Sequence, residues 1–409
     1  MGRSDAGDSA GDPAGVPASD RVAPPCRHAG ACGGCDWQHI AYHAQLRLKR
    51  ARVAEALAEV PVAAAAVSGT IGAATPVGGA PWGFRRKAHF VFAQRGASIV
   101  MGHYRRGSRE VLPIDECPVH PERANALAFV VRDALQRAHV PAGPDGIARH
   151  LVVRVSASRD EMLATLVVTR NDPSRLKRVM RDVMASPVAP TGWFLNVHPK
   201  ANALLFGDDT LRLAGRDRVR EDLAGTAYLV SPDAFFQTNV DAAEGLVQRV
   251  LAAIPDDAAT VLDLYAGAGL FALPLARKGV RVIAVEENAA AVADGEASRA
   301  LNRISAERCR FVVARAEDAL ARNAIRQARA DLVVLDPPRT GAGDVVMRLL
   351  RDAIAPRRIA YVSCDPDALA RDLAVIGGRG GAYTIASVTP IDMFPHTPHV
   401  ETFVVLDRR

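Results

Sequence analysis

The sequence predicts an α/β protein whose last part, residues 226–409, is a doubly wound and mostly parallel sheet, preceded by a central α+β domain over 76–225 and a small cysteine-bearing segment over 23–75. Three observations carry this. The chain has 409 residues, more than one hydrophobic core usually serves. From residue 259 onward a rhythm of strand, Gly-rich turn and helix repeats. Uninterrupted apolar strands such as Leu332-Val333-Val334-Leu335 suit a parallel sheet covered on both faces.

In chain order, residues 1–22 form a low-complexity tail rich in Gly, Ala, Ser, Pro and Asp, expected to be disordered and lacking the apolar stretch of a secretory signal. Cys26, Cys32 and Cys35 follow. Residues 41–58 place Leu46, Val53, Ala54 and Leu57 at helical spacing beside Arg47, Lys49, Arg50 and Arg52, which predicts an amphipathic basic helix. Strands are expected at 151–155 and 162–168 and a helix at 173–184. In the last domain strands are expected at 260–265, 280–285, 310–313, 331–336, 358–363, 384–388 and 401–406, with helices between the first six. No crossover helix separates the last two, so they should pair antiparallel.

Composition narrows the function. Hydrophobic residues make up 49% and charged residues 23%, and no apolar run reaches the roughly 18 residues of a membrane helix. A cytoplasmic protein with no membrane partner, acting as a monomer, is expected. The net charge is +6. Arg85, Arg86, Lys87, Arg95, Arg105, Arg106 and Arg109 occur with no carboxylate among them, interleaved with Phe84, Phe90, Phe92 and Tyr104. Such a stretch predicts a platform of guanidinium and aromatic groups for a polyanion, RNA in the first place. Six cysteines are too few and too uneven for a disulfide scaffold. Three crowded thiols, with a distant Cys117 followed by Pro118, suit a metal site, and spacing alone leaves zinc and iron–sulfur open.

Gly267-Ala268-Gly269 follows a strand and opens a helix, and Glu286 closes the next strand. This fits a dinucleotide site, hence a nicotinamide-dependent oxidoreductase, and equally an S-adenosylmethionine site. Asp336-Pro337-Pro338-Arg339 is a rigid turn at a strand end that sets a carboxylate beside a planar substrate and favours the second reading. Ser363-Cys364-Asp365-Pro366 ends a strand and starts a helix, with Asp365 as cap, and the helix N-terminus is expected to lower the Cys364 thiol pKa. Phe394 through Glu401 brings two histidines and a carboxylate to the last strand. Phe235-Phe236-Gln237-Thr238-Asn239 offers aromatics to stack on a base and an amide to pair with its edge.

Taken together, Phe235-Phe236-Gln237-Thr238-Asn239, Leu262-Asp263-Leu264-Tyr265, Asp336-Pro337-Pro338-Arg339, Val362-Ser363-Cys364 and Asp392-Met393-Phe394-Pro395-His396-Thr397 resemble, in order, the motifs of the RNA uracil-5-methyltransferase family over about residues 26–409. The resemblance implies the class I S-adenosylmethionine-dependent methyltransferase fold. It implies Cys364 as nucleophile, Glu401 as base, and Gln237, Tyr265, Gly267, Glu286 and Asp336 around cofactor and base. It also implies a [4Fe-4S] cluster on Cys26, Cys32, Cys35 and Cys117, as in members that modify 23S ribosomal RNA. Few residues precede Cys26, and Ala266 and Leu270 replace the Cys and Asn of the longer ribosomal subgroup, so the shorter subgroup without an N-terminal β-barrel is expected. The six-position step from Cys26 to Cys32 is that of the longer subgroup. The alternatives are methylation of transfer RNA, and a non-catalytic iron–sulfur RNA-binding protein.

Overall fold

The computed structural model describes residues 13, 16–60, 67–72, 81–200, 204–377 and 381–409. They cluster into two compact units: Met1–Ala41 with Ala80–Glu221 and Val230–Asp233, and Tyr42–Gly79 with Asp222–Leu229 and Ala234–Arg409. The expected boundary at residue 75 and most of the expected tail lie outside the described residues. The end of that tail is ordered. Ala18–Asp20 forms a short 3-10 turn, Arg21 bridges to Ile40, and the Asp20 carbonyl accepts the Ala41 N–H at 2.7 Å.

In the first unit, β1 (Lys87–Arg95), β2 (Ser98–Tyr104), β3 (Val111–Pro113), β4 (Ala148–Val155), β5 (Met162–Val168), β6 (Gly192–Val197) and β7 (Asp209–Gly215) form one sheet in the order β3-β2-β1-β4-β5-β6-β7. Helices Glu122–Arg137 and Pro173–Met184 cover it. Asp172 starts the second helix by accepting the Arg175 N–H, and Pro173 at its first turn needs no donor. The core takes Phe90, Phe92, Leu127, Val131, Leu151, Leu166 and Trp193.

This burial corrects the expected aromatic platform. Phe84, Phe90 and Phe92 are buried, and of the four aromatics only Tyr104 is exposed. The β1 alternation turns the phenylalanines inward, because an apolar ring gains more from the core than from a wet face. The basic stretch is also partly spent within the fold. Glu110 pairs with Arg95 and Arg105, and Arg106 pairs with Asp36 and donates to the Cys35 carbonyl at 2.9 Å. Burial, then the Arg154 cation, pushes Lys87 down to about 7. Arg109 keeps the exposure the patch requires, and Arg86 is half-buried.

Between the two large sheets in sequence, β8 (Val219–Leu223) and β9 (Thr226–Val230) make a two-stranded ribbon. The second unit holds β10 (Thr260–Leu264), β11 (Arg281–Glu286), β12 (Cys309–Val313), β13 (Leu332–Leu335), β14 (Arg358–Ser363), β15 (Tyr383–Ile391) and β16 (Glu401–Arg408) in the order β12-β11-β10-β13-β14-β16-β15. The first five strands are parallel. β16 runs antiparallel to both β14 and β15, as the missing crossover helix predicts. The order reverses between β10 and β13, so their C-terminal ends flank the crevice in which such sheets bind ligands.

The helix Tyr42–Ala56 differs from its expected character. Its buried face is Gln45, Lys49 and Val53, and Lys49 is fully buried instead of standing among the solvated cations. Among the described residues, no helix is long and apolar enough to cross a membrane.

Candidate active site and cysteine cavity

Four strand ends of the second unit open into a cavity of about 880 Å3. Tyr265 follows β10, Glu286 ends β11, Asp336 follows β13 and Cys364 follows β14; all four line it, with Gln237, Gly267 and Glu401. The structure thus gathers every residue expected to catalyse or to hold the cofactor. Ser363 and Thr402 are the last register pair of β14 and β16, and Cys364 and Glu401 directly adjoin that pair. Register places a thiol and a carboxyl side by side although 37 positions separate them in sequence.

The Gly turn is shaped for close approach. Gly267 and Gly269 have φ of +54° and +87°, and a Cβ on Gly269 would meet the Phe311 ring at 2.8 Å. Glu286 spans the turn, accepting the Gly267 N–H at 2.9 Å and the Asn288 N–H at 2.8 Å. Tyr265 also has a positive φ, +61°. A side chain in that region costs about 1–3 kcal/mol, a strain typical of ligand clamps. After Asp336-Pro337-Pro338-Arg339 the chain is tied down by buried Asp372, which accepts the Ala342 and Gly343 N–H groups at 2.7 and 3.1 Å and the Tyr361 hydroxyl.

Electrostatics correct one expectation. Asp365 does cap the helix Pro366–Gly377, accepting the Ala368 N–H at 2.8 Å. Yet burial, with the Glu401 carboxyl next in effect, pushes the Cys364 thiol up to about 12, and Arg339 opposes the shift. Desolvation and neighbouring carboxyls outweigh the helix end, whose partial charge acts only over its first turn. Burial raises Asp336 to about 7. Burial and then Asp336 hold Glu401 well above the carboxylate range, again opposed by Arg339. Glu401 Oε1 is buried with no hydrogen-bond partner. The two aromatics divide: Phe236 is buried and packs on Tyr228 at 5.3 Å, while Phe235 on the cavity rim is 68% exposed.

In the first unit, Cys26, Cys32, Cys35 and Cys117 line one cavity of about 240 Å3. The loop bearing three of them is fixed by backbone: Cys32 bridges Arg105, Gly33 donates to the Tyr104 carbonyl at 3.0 Å, and Arg106 donates to the Ala31 carbonyl at 2.9 Å. Burial raises Cys32 and Cys35 and pushes Cys117 up to about 12. Histidines unseen from the sequence share the cavity. His103 and His120 bring a nitrogen each within 4.8 Å of the Cys117 sulfur and of each other. His103 Nε2, His120 Nδ1 and His28 Nε2 are buried without a hydrogen-bond partner. No spacing signal links 103 to 120; β2 and the loop after β3 bring them together.

Comparison with known proteins places the chain among RNA methyltransferases. Residues 208–409 match the family model described as tRNA (Uracil-5-)-methyltransferase. An uncharacterised RNA methyltransferase of Thermosynechococcus vestitus is 35% identical over 95% of this chain and 85% of its own length. One from Halalkalibacterium halodurans is 30% identical over 95% and 84%. Among solved structures, the Pyrococcus abyssi tRNA (uracil-54, C5)-methyltransferase in complex with S-adenosyl-L-homocysteine superposes with a TM-score of 0.75 at 25% identity, covering 92% of this chain and 86% of that one. The fold and site are those of a class I S-adenosylmethionine-dependent methyltransferase. The chain belongs to the RNA uracil-5-methyltransferase family.

Proposed function

We propose that this enzyme methylates carbon 5 of a specific uridine in 23S ribosomal RNA, with Cys364 as nucleophile and Glu401 as base. The observation that carries the chemistry is that Cys364 and Glu401, which adjoin the last β14–β16 register pair, line one cavity together with Asp336.

Carbon 5 of uracil is a weak nucleophile and needs covalent activation. The Cys364 thiolate adds to carbon 6, and the ring electrons move onto the carbon 4 oxygen as an enolate. S-adenosylmethionine, held by the residues of this cavity, would supply an electrophilic methyl from its sulfonium, with the neutral thioether as leaving group. After carbon 5 has taken the methyl, Glu401 removes the proton from that carbon, the carbon 5–carbon 6 double bond re-forms, and the Cys364 thiolate departs. Arg339 favours the ionised form of both groups. Glu286, with the Gly267 turn, faces the cofactor, Tyr265 and Gln237 complete its surroundings, and exposed Phe235 offers a ring to an unstacked base.

We further propose that Cys26, Cys32, Cys35 and Cys117 hold a [4Fe-4S] cluster. Among the described residues, three possible ligand atoms lie within 4.8 Å of one another only at His103, Cys117 and His120. What supports a thiolate-held centre is that all four cysteines line one cavity of about 240 Å3. A four-part organisation is proposed with it: tail 1–22, cluster segment 23–75, central RNA-binding domain 76–225, methyltransferase domain 226–409. Transfer RNA is the second reading, favoured by the similarity to the Pyrococcus abyssi transfer-RNA enzyme. Mapping 5-methyluridine in ribosomal and transfer RNA from a strain lacking the gene decides. Loss from 23S ribosomal RNA is expected, and loss from transfer RNA alone overturns the ribosomal assignment.

A further inference from the structure

We propose that Gln45 and Lys49 are positioning residues: from one face of the helix Tyr42–Ala56 they hold the connection 392–400 in the shape that keeps Phe394 and Glu401 on the cavity wall. The inference rests on the reading that Cys364 and Glu401 carry the reaction.

Ile391, the last residue of β15, pairs with Glu401, the first of β16, so the connection between them is a closed loop standing on a fixed base. Phe394 within it and Glu401 at its end both line the strand-end cavity. The loop is held from beneath. Lys49 is fully buried, forms an ion pair with equally buried Asp392, and donates to the Phe394 carbonyl at 2.9 Å. One turn earlier, Gln45 accepts the His396 N–H on Oε1 at 3.0 Å, and its Nε2 lies 3.4 Å from His396 Nδ1. His396 itself has a φ of +65°, a conformation that a residue with a Cβ keeps only when its surroundings enforce it. From another element, Asn239 donates to the Met393 carbonyl at 3.2 Å.

Stability does not explain the choice of residues. A buried ion pair is often no more stabilising than apolar side chains of the same volume, because both charges lose their water. What Lys49 and Gln45 supply, and a leucine pair lacks, is direction: the ammonium fixes a carboxylate and a carbonyl two residues apart, and the amide fixes the backbone two residues further on. A loop held at those points presents Phe394 in one orientation.

The test uses the full-length protein, S-adenosylhomocysteine, and total RNA from a strain lacking the gene, with a second batch from cells grown on 5-fluorouracil. In Lys49→Met and Gln45→Leu, S-adenosylhomocysteine affinity should stay within about threefold of wild type, while single-turnover methylation falls about 10²-fold, the scale of a misplacement near 1 Å. Adduct formation with the fluorinated RNA should slow in the same proportion, and Lys49→Arg, keeping charge and donors, should recover most of the rate. Methylation by Lys49→Met within about threefold of wild type overturns the proposal, as does a parallel loss of cofactor binding and turnover. Should Lys49→Met not fold, Gln45→Leu leaves the ion pair intact and decides by the same two measurements. If the wild-type enzyme itself forms no adduct, the covalent reading fails and takes the proposal with it. A wild-type adduct that Lys49→Met forms equally fast sinks the positioning role alone.

Discussion

The cysteine cavity of the first unit and the strand-end cavity of the second both bury thiols whose protonated form the surroundings favour, with Cys117 and Cys364 each pushed up to about 12. They are built differently. Cys364 sits one residue past β14, which ladders to β13 and, up to the residue before Cys364, to β16, and it shares its cavity with Glu401 and Asp336. Cys26, Cys32 and Cys35 sit on a loop held by one bridge and by Arg106. The neighbours differ as well: Glu401 and Asp336 around Cys364, neutral imidazoles around Cys117, where burial and then Arg85 push His103 down to about 4. In the proposed reading, the thiol among carboxyls, with an arginine favouring its ionised form, serves turnover, and the thiols that share a cavity with unpartnered histidine nitrogens serve a bound centre.

The sharpest break between the two comes from removing one sulfur from each. Cys364→Ala should lose adduct and product entirely, read by denaturing electrophoresis with 5-fluorouridine RNA, whereas Cys117→Ala should keep S-adenosylhomocysteine binding. An active Cys364→Ala would end the covalent assignment. Next in size, Glu401→Gln should let methyl transfer proceed but slow release by about 10²–10⁴-fold, so that methylated RNA accumulates on the protein. Normal turnover would remove Glu401 as base.

Metal analysis sharpens the other side of the comparison. Anaerobically purified protein should hold about four irons and four sulfides per chain. One zinc without sulfide would make the first cavity a simple thiolate site.

A smaller effect separates the carboxyls from the imidazoles by pH. Asp336 is raised from its ordinary 3.8 to about 7, so the folded protein keeps a proton that the unfolded chain releases. The stability this contributes is full below pH about 4 and is lost as pH rises towards 7. Asp336→Asn should therefore stabilise the ligand-free protein at pH 8 by up to about 4 kcal/mol and leave it nearly unchanged near pH 4. Equal melting shifts at both pH values would refute the buried-carboxyl account. Smallest of all, Arg86→Ala and Arg109→Ala should each flatten the slope of log RNA affinity against log salt by roughly 0.7. Arg106→Ala should instead lower the melting temperature, since Arg106 is tied to Asp36 and to the Gly30 and Cys35 carbonyls. Loss of salt dependence in Arg106→Ala with unchanged melting would put it back among the phosphate contacts.

Much of this molecule was legible from residue order alone, for a physical reason. Backbone hydrogen bonding makes strands, turns and helix starts local, so apolar runs, the Gly267-Ala268-Gly269 turn and the Asp365-Pro366 cap located the parallel sheet and the ends of its strands. Ligands bind at those ends, so Glu286, Asp336 and Cys364 were readable as one site, while Tyr265 entered only through the family resemblance. Burial is not local, and only the tertiary structure decided it. It turned Phe90 and Phe92 into the core, brought Lys87 to near neutrality, and took Lys49 from a supposed solvated face to a buried ion pair with a residue 343 positions away. It gathered His103 and His120 beside Cys117 and reversed the expected shift of Cys364. The sign of a pKa shift and the side of a strand that meets the core depend on what packs there from distant parts of the chain, and no spacing within a segment encodes that.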